Sequence, residues 1–97
     1  MPTYVILTQY TQQGIEKIKD SPARLDRAKQ AFKSVGAEVK AFYLTMGQYD
    51  IVLVVEAPDD NTVAKLALSI GSLGSVRTQT LRAFTEDEFR KLIAGLP

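Results

Sequence analysis

The chain has 97 residues, 45% of them hydrophobic, with 12 basic and 11 acidic side chains and a net charge of +1. That length predicts one domain, residues 1–97, with a core of modest size, and so even a charge balance gives no electrostatic footprint for nucleic acid. Cysteine and histidine are both absent, which excludes disulfides, thiolate metal sites, cysteine nucleophiles, an imidazole base and the usual axial haem ligand, so no cofactor is expected.

Thr3–Tyr10 is rich in β-branched and aromatic residues and reads as a strand. Thr11–Asp20 is polar around Gly14, with a short helical turn expected through Ile15–Ile18. Ser21-Pro22 then starts a helix, with Ser as N-cap and Pro at the first helical position. Its apolar face is Leu25, Ala28, Phe32 and Val35, and Gly36 supplies the stop. Glu38–Met46 and Tyr49–Ala57 form a hairpin around Gly47-Gln48, where Gly at the first central position fits a type II′ turn. Pro58-Asp59-Asp60 caps a second helix carrying Val63, Leu66, Ala67 and Ile70 on one face. Gly71 or Gly74 ends it. Val76–Ala83 is a fourth strand. Thr85 and Glu88 form a capping box for a short C-terminal helix with Phe89, Leu92 and Ile93 on its apolar side.

The order β-α-β-β-α-β plus a C-terminal helix predicts an α+β, ferredoxin-like fold with a four-stranded antiparallel sheet and both crossover helices on one face. An antiparallel sheet with one wet face alternates apolar and polar residues. Strand three does not: Ile51, Leu53 and Val55 point one way, Val52 and Val54 the other. Strand one repeats this with Tyr4 and Ile6 against Val5 and Leu7. The uncovered face then needs the last helix folded across it or, more simply, a second copy of the sheet. For a two-residue turn, Tyr43 faces Val52 and Val39 faces Glu56. Phe42, Leu44 and Met46 face Leu53, Ile51 and Tyr49 in the greasier set, which is assigned to the helix-covered core.

In this topology strands one and two run up and strands three and four run down. The upper end therefore gathers Tyr10, Lys19, Gly47, Tyr49, Asp50 and Arg77 around the N-terminus of the first long helix. These six residues are the candidate ligand-binding set, a cleft that offers positive charge, phenols and one carboxylate to a small molecule. Other motifs are weaker. Ser72 and Ser75 flank Gly74 without a partner base, and helix capping accounts for Asp59-Asp60-Asn61 better than cation binding does.

Four blocks in order resemble the GYD-domain family: Ile18-Lys19-Asp20-Ser21-Pro22-Ala23-Arg24, Phe42–Asp50, Glu56–Asp60 and Val76–Phe84. The name-giving Gly-x-Tyr-Asp is Gly47, Tyr49 and Asp50. The resemblance covers nearly the whole chain and implies a ferredoxin-like fold that dimerises into an α/β barrel. It carries no established activity. The hairpin together with Gly74–Thr80 is similar, more distantly, to the effector-binding domain of leucine-responsive and asparagine-type (Lrp/AsnC) regulators, in which a comparable hairpin helps bind amino acids between subunits. This chain lacks their helix-turn-helix and adds a C-terminal helix, so the resemblance implies a stand-alone sensor rather than a transcription factor.

The leading expectation is a non-catalytic, oligomeric small-molecule-binding or regulatory module that associates with itself. One alternative is a cofactor-free enzyme of the dimeric α/β-barrel type, an isomerase or monooxygenase with Asp50 or Glu56 as base. Another is a structural assembly subunit. No apolar run approaches the roughly 20 residues of a membrane span, and Met1-Pro2-Thr3-Tyr4 does not resemble a signal peptide. A cytoplasmic location without membrane or nucleic-acid partners is expected.

Overall fold

The sheet is built on β1 (Thr3–Tyr10), whose alternate residues Tyr4, Ile6 and Thr8 are buried. In this computed structural model, which describes residues 1–97, β1 is followed by a short helix α1 (Gln12–Glu16), a 3-10 turn (Ile18–Asp20) and helix α2 (Ser21–Ser34). Strands β2 (Glu38–Leu44) and β3 (Ile51–Glu56) form the hairpin. Helix α3 (Asp60–Ser72), strand β4 (Val76–Ala83) and helix α4 (Glu86–Ala94) complete the chain. The strand order is β2-β3-β1-β4 and every pairing is antiparallel, so the expected α+β ferredoxin-like arrangement is the one observed.

The core lies between the sheet and the two long helices. Phe32 and Val55 are its largest fully buried side chains, joined by Tyr4, Ile6, Ile51, Leu53, Val63 and Leu66. Pairing of Phe42 with Leu53, Tyr43 with Val52 and Leu44 with Ile51 agrees with the sequence reading, but Leu44 is 70% exposed and Met46 lies open in the loop, so neither joins the helix-covered core expected for them. The lower half of the hairpin differs. The register shifts between Val39 and Ala41, so Val39 pairs with Val55 rather than Glu56 and packs against the core. Lys40 is the extra residue of this bulge, which re-aims the side chains on either side of it.

The helix starts have separate causes. Asp59 caps α3 by accepting from the Thr62 amide, and that bond, with the Thr62 hydroxyl, holds its carboxyl below the usual range. Thr85 and Glu88 make the expected reciprocal capping box at α4. Ser21 is not the N-cap of α2, as the sequence suggested; Asp20 takes that position without a side-chain bond. The Ser21 hydroxyl lies instead 2.8 Å from the Tyr10 hydroxyl.

At the lower end the buried Tyr4 hydroxyl donates to Asp60, and the Arg82 guanidinium sits 5.7 Å from the Tyr4 ring centroid. Burial first, then the bond to Asp60 and its charge, push the Tyr4 pKa up from 10.0 to about 12. A phenol that holds its proton more tightly folded than unfolded contributes fully below the unfolded pKa and loses that contribution as pH rises through the folded one. Tyrosinate absorbance should accordingly show one group ionising near pH 12, with stability falling between pH 10 and 12. Tyr4→Phe should remove both features.

The second sheet face is uncovered. Two rows run across all four strands: Ala41–Val54–Val5–Leu81 and Tyr43–Val52–Leu7–Gln79. Helix α4 does not fold over them. It has no buried residue, and Phe84, Phe89, Leu92 and Ile93 are each more than half exposed. No helix is long and apolar enough to cross a membrane.

Candidate functional site

The hairpin loop is longer than the sequence predicts. Its closing pair is Thr45 and Asp50, joined by a 2.8 Å bond from the Thr45 amide to the Asp50 carbonyl. The Thr45 hydroxyl donates to the Tyr49 carbonyl at 2.6 Å, and Met46–Tyr49 arch between. Gly47 has φ +149°, not the value near +60° of a two-residue type II′ turn. That backbone conformation still favours glycine.

This arch bends over the uncovered face. The Gln9 side-chain amide donates to the Gln48 carbonyl at 2.7 Å, and the Tyr49 hydroxyl donates to Gln79 Oε1 at 2.6 Å. Gln9 and Gln79 are on the uncovered face, and Arg77 pairs with Gln9 beside them. Tyr49, Gln9, Gln79 and Arg77 thus form a polar rim above the apolar rows.

Asp50 sits where the rim meets the sheet. Its amide donates to the Thr8 carbonyl at 2.9 Å, and its Oδ2 accepts from the Tyr10 amide at 2.9 Å. Neither Lys19 nor Arg77 forms an ion pair with it; the two ion pairs present are Lys40–Glu38 and Arg90–Glu86. The six candidate residues share the upper end but are divided by the sheet. Tyr10 turns its phenol to the helix side, against Ser21, and Lys19 is exposed on the 3-10 turn. Gly47, Tyr49 and Arg77 belong to the uncovered side, and Asp50 bridges the two.

Asp50→Ala should lower the stability of the ligand-free protein by about 1–3 kcal/mol, because the Tyr10 amide loses its acceptor. Asp50→Asn keeps an acceptor oxygen and should cost much less. Denaturant unfolding of both variants checks this, and equal losses would assign the effect to charge instead.

Several groups in this region carry no sequence signal. Gln9, Gln48 and Gln79 read as ordinary polar positions, because their bonds span 39 and 30 residues. A second tie holds the start of α1 to the turn that leads into β4. The Thr11 amide donates to the Ser75 carbonyl at 3.1 Å and its hydroxyl to the Gly74 carbonyl at 2.6 Å. No three acidic side chains are grouped to hold a metal ion.

Comparison with known proteins follows the same outline. A family model described as the GYD domain matches residues 4–93. The chain belongs to the GYD-domain family. Among its relatives is a Thermus thermophilus protein named glutamine synthetase and cystathionine beta-lyase binding protein. The two are 42% identical over 84 residues, covering 86% of this chain and 88% of the relative. A solved Thermus thermophilus protein superposes with TM-score 0.56 at 26% identity, over 88% of this chain and 95% of that one. The feast or famine regulatory protein of M. tuberculosis, solved with L-methionine, superposes with TM-score 0.63 at 22% identity. That match covers 90% of this GYD domain and 54% of the regulator, so the chain spans about half the regulator's length. At that identity the likeness shows a shared fold alone.

Proposed function

We propose that this GYD-domain chain is a non-catalytic, oligomeric regulatory module of the cytoplasm that pairs through its uncovered sheet face and binds both a small molecule and a metabolic enzyme. The observation that carries this reading is the sheet face itself. Val5, Leu7, Val52, Val54 and Leu81 lie open beside a polar rim made by Gln9, Tyr49, Arg77 and Gln79. An apolar centre with a polar rim is the anatomy of a protein interface. Two such sheets face to face form a dimeric α/β barrel, and the rims then stand at the subunit boundary.

Tyr49, Arg77, Gly47 and Asp50 are the groups that offer a ligand hydrogen bonds and charge at that boundary, with Tyr10 and Lys19 behind them. A polar ligand with both anionic and cationic groups, such as an amino acid, suits Arg77 and Asp50 together. The methionine in the mycobacterial regulator supports that ligand class. The Thermus relative, whose name describes it as binding glutamine synthetase and cystathionine beta-lyase, supports an enzyme partner. Asp50 stands at a rim rather than inside an enclosed cavity, which favours binding over proton abstraction.

Native mass spectrometry of the purified protein, alone and with glutamine synthetase or cystathionine β-lyase of the same organism, tests the reading. The expected result is a complex with at least one enzyme containing a whole number of dimers of this chain. Monomers only, with no complex at micromolar concentration, would overturn it.

A further inference from the structure

The helix-covered side of the sheet is incompletely filled. A cavity of about 510 Å³ lies between α2, α3 and the upper half of the sheet. Its origin is local. Ala28 and Ala31 of α2 and Ala67 of α3 are small where the two helices line it, and Phe32, Ile6 and Leu53 are among its larger apolar walls. A volume of this size is in the range of small-molecule sites.

Two further observations indicate what fits there. Thr8 lies in the cavity wall and is only 4% exposed, yet its hydroxyl has no hydrogen-bond partner. Buried hydroxyls normally have a partner, and leaving one without is costly. The second observation concerns charge. Arg24 and Arg27 are the only charged residues around the cavity, and no acidic side chain opposes them. Arg24 donates to the carbonyls of Lys17 at 3.0 Å and Gly14 at 3.4 Å, which leaves other guanidinium N–H groups free.

We infer that this cavity binds a small amphipathic carboxylate, an apolar body with one anionic head. The head lies in the upper part of the cavity, where it accepts from Arg24 and from the Thr8 hydroxyl, and the body lies over the apolar floor. The site is on the opposite side of the sheet from the pairing face, so it does not rest on the proposed dimer or its enzyme partners.

Calorimetric titration with octanoate, and with octan-1-ol as its neutral counterpart, tests the inference on the full chain. Octanoate should bind saturably, at one per chain, and more tightly than octan-1-ol. Arg24→Gln should weaken octanoate about tenfold, the loss expected for one charge-assisted hydrogen bond. Thr8→Val should raise the melting temperature of the ligand-free protein, because it removes the unpaired hydroxyl, and should weaken octanoate binding. Ala28→Phe, if folded by circular dichroism, should abolish binding; if it does not fold, Thr8→Val and Arg24→Gln decide. Absence of saturable octanoate binding would overturn the inference. So would affinity unchanged in both Arg24→Gln and Thr8→Val, or octan-1-ol binding as tightly as octanoate. Subunit number, read on the same samples, reports separately on the pairing face.

Discussion

Gly14→Ala is expected to destabilise the protein by about 2–4 kcal/mol, although alanine is the better helix former. Gly14 lies within α1, where intrinsic propensity would favour Ala by about 1 kcal/mol. Space decides the other way. A Cβ at Gly14 would stand 2.0 Å from the Ser75 carbonyl oxygen and 3.2 Å from the Tyr10 ring. The first of these is backbone and cannot swing aside. Relieving the clash means pulling α1 off the turn that leads into β4, which breaks the Thr11 bonds to Ser75 and Gly74. Gly71 is the control. It is also helical, but a Cβ there meets nothing within 4 Å, so Gly71→Ala should stabilise by up to about 1 kcal/mol. Denaturant melts of the two variants should move in opposite directions, and a stabilised Gly14→Ala would mean that α1 is not held against Ser75.

Val54→Lys should dissociate the protein while leaving the chain able to fold. Val54 lies in the middle of the uncovered face, between Ala41 on β2 and Val5 on β1. In a two-fold pairing each interface receives two lysines, one from each copy. An unpaired buried charge costs about 3–5 kcal/mol, so the pair of substitutions outweighs what a small interface supplies. In a lone chain the same lysine would project into water at little cost. Sedimentation velocity should give a smaller species for Val54→Lys, with circular dichroism near that of the parent. An unchanged sedimentation coefficient would place the interface elsewhere.

The elements were legible because their signals are local. Alternation in Thr3–Tyr10, the helical spacing of Leu25, Ala28 and Phe32, and the Thr85–Glu88 box each arise within a single element. The double-sided apolar pattern of Ile51–Val55 also carried the main conclusion about the sheet, that one face has no cover within the chain. The errors fall where distant residues decide the geometry. Gly47-Gln48 resembles a tight turn, yet Gln9 and Gln79 draw the next residues over the sheet and open the loop. The bulge at Lys40 lets Val39 join the core, which a two-residue periodicity cannot show. Ser21 has the chemistry of a helix cap but faces Tyr10, on another element and outside any capping pattern.

The candidate site was legible as an end of the fold and not as a surface. Chain direction alone brings Tyr10, Lys19, Gly47, Tyr49, Asp50 and Arg77 to one end of the sheet. Which face each side chain takes depends on register, so the six read as one cleft before the sheet divided them. Thr8 carried no signal at all. A threonine in a strand is ordinary, and only the small residues on two separate helices leave its hydroxyl alone.

The central claim, that the apolar sheet face is where this chain pairs, is tested most directly by light scattering coupled to size-exclusion chromatography at micromolar concentration. A mass of two chains of 10.7 kDa, or a multiple of that pair, is the predicted result. A well-folded single chain across that concentration range would contradict it.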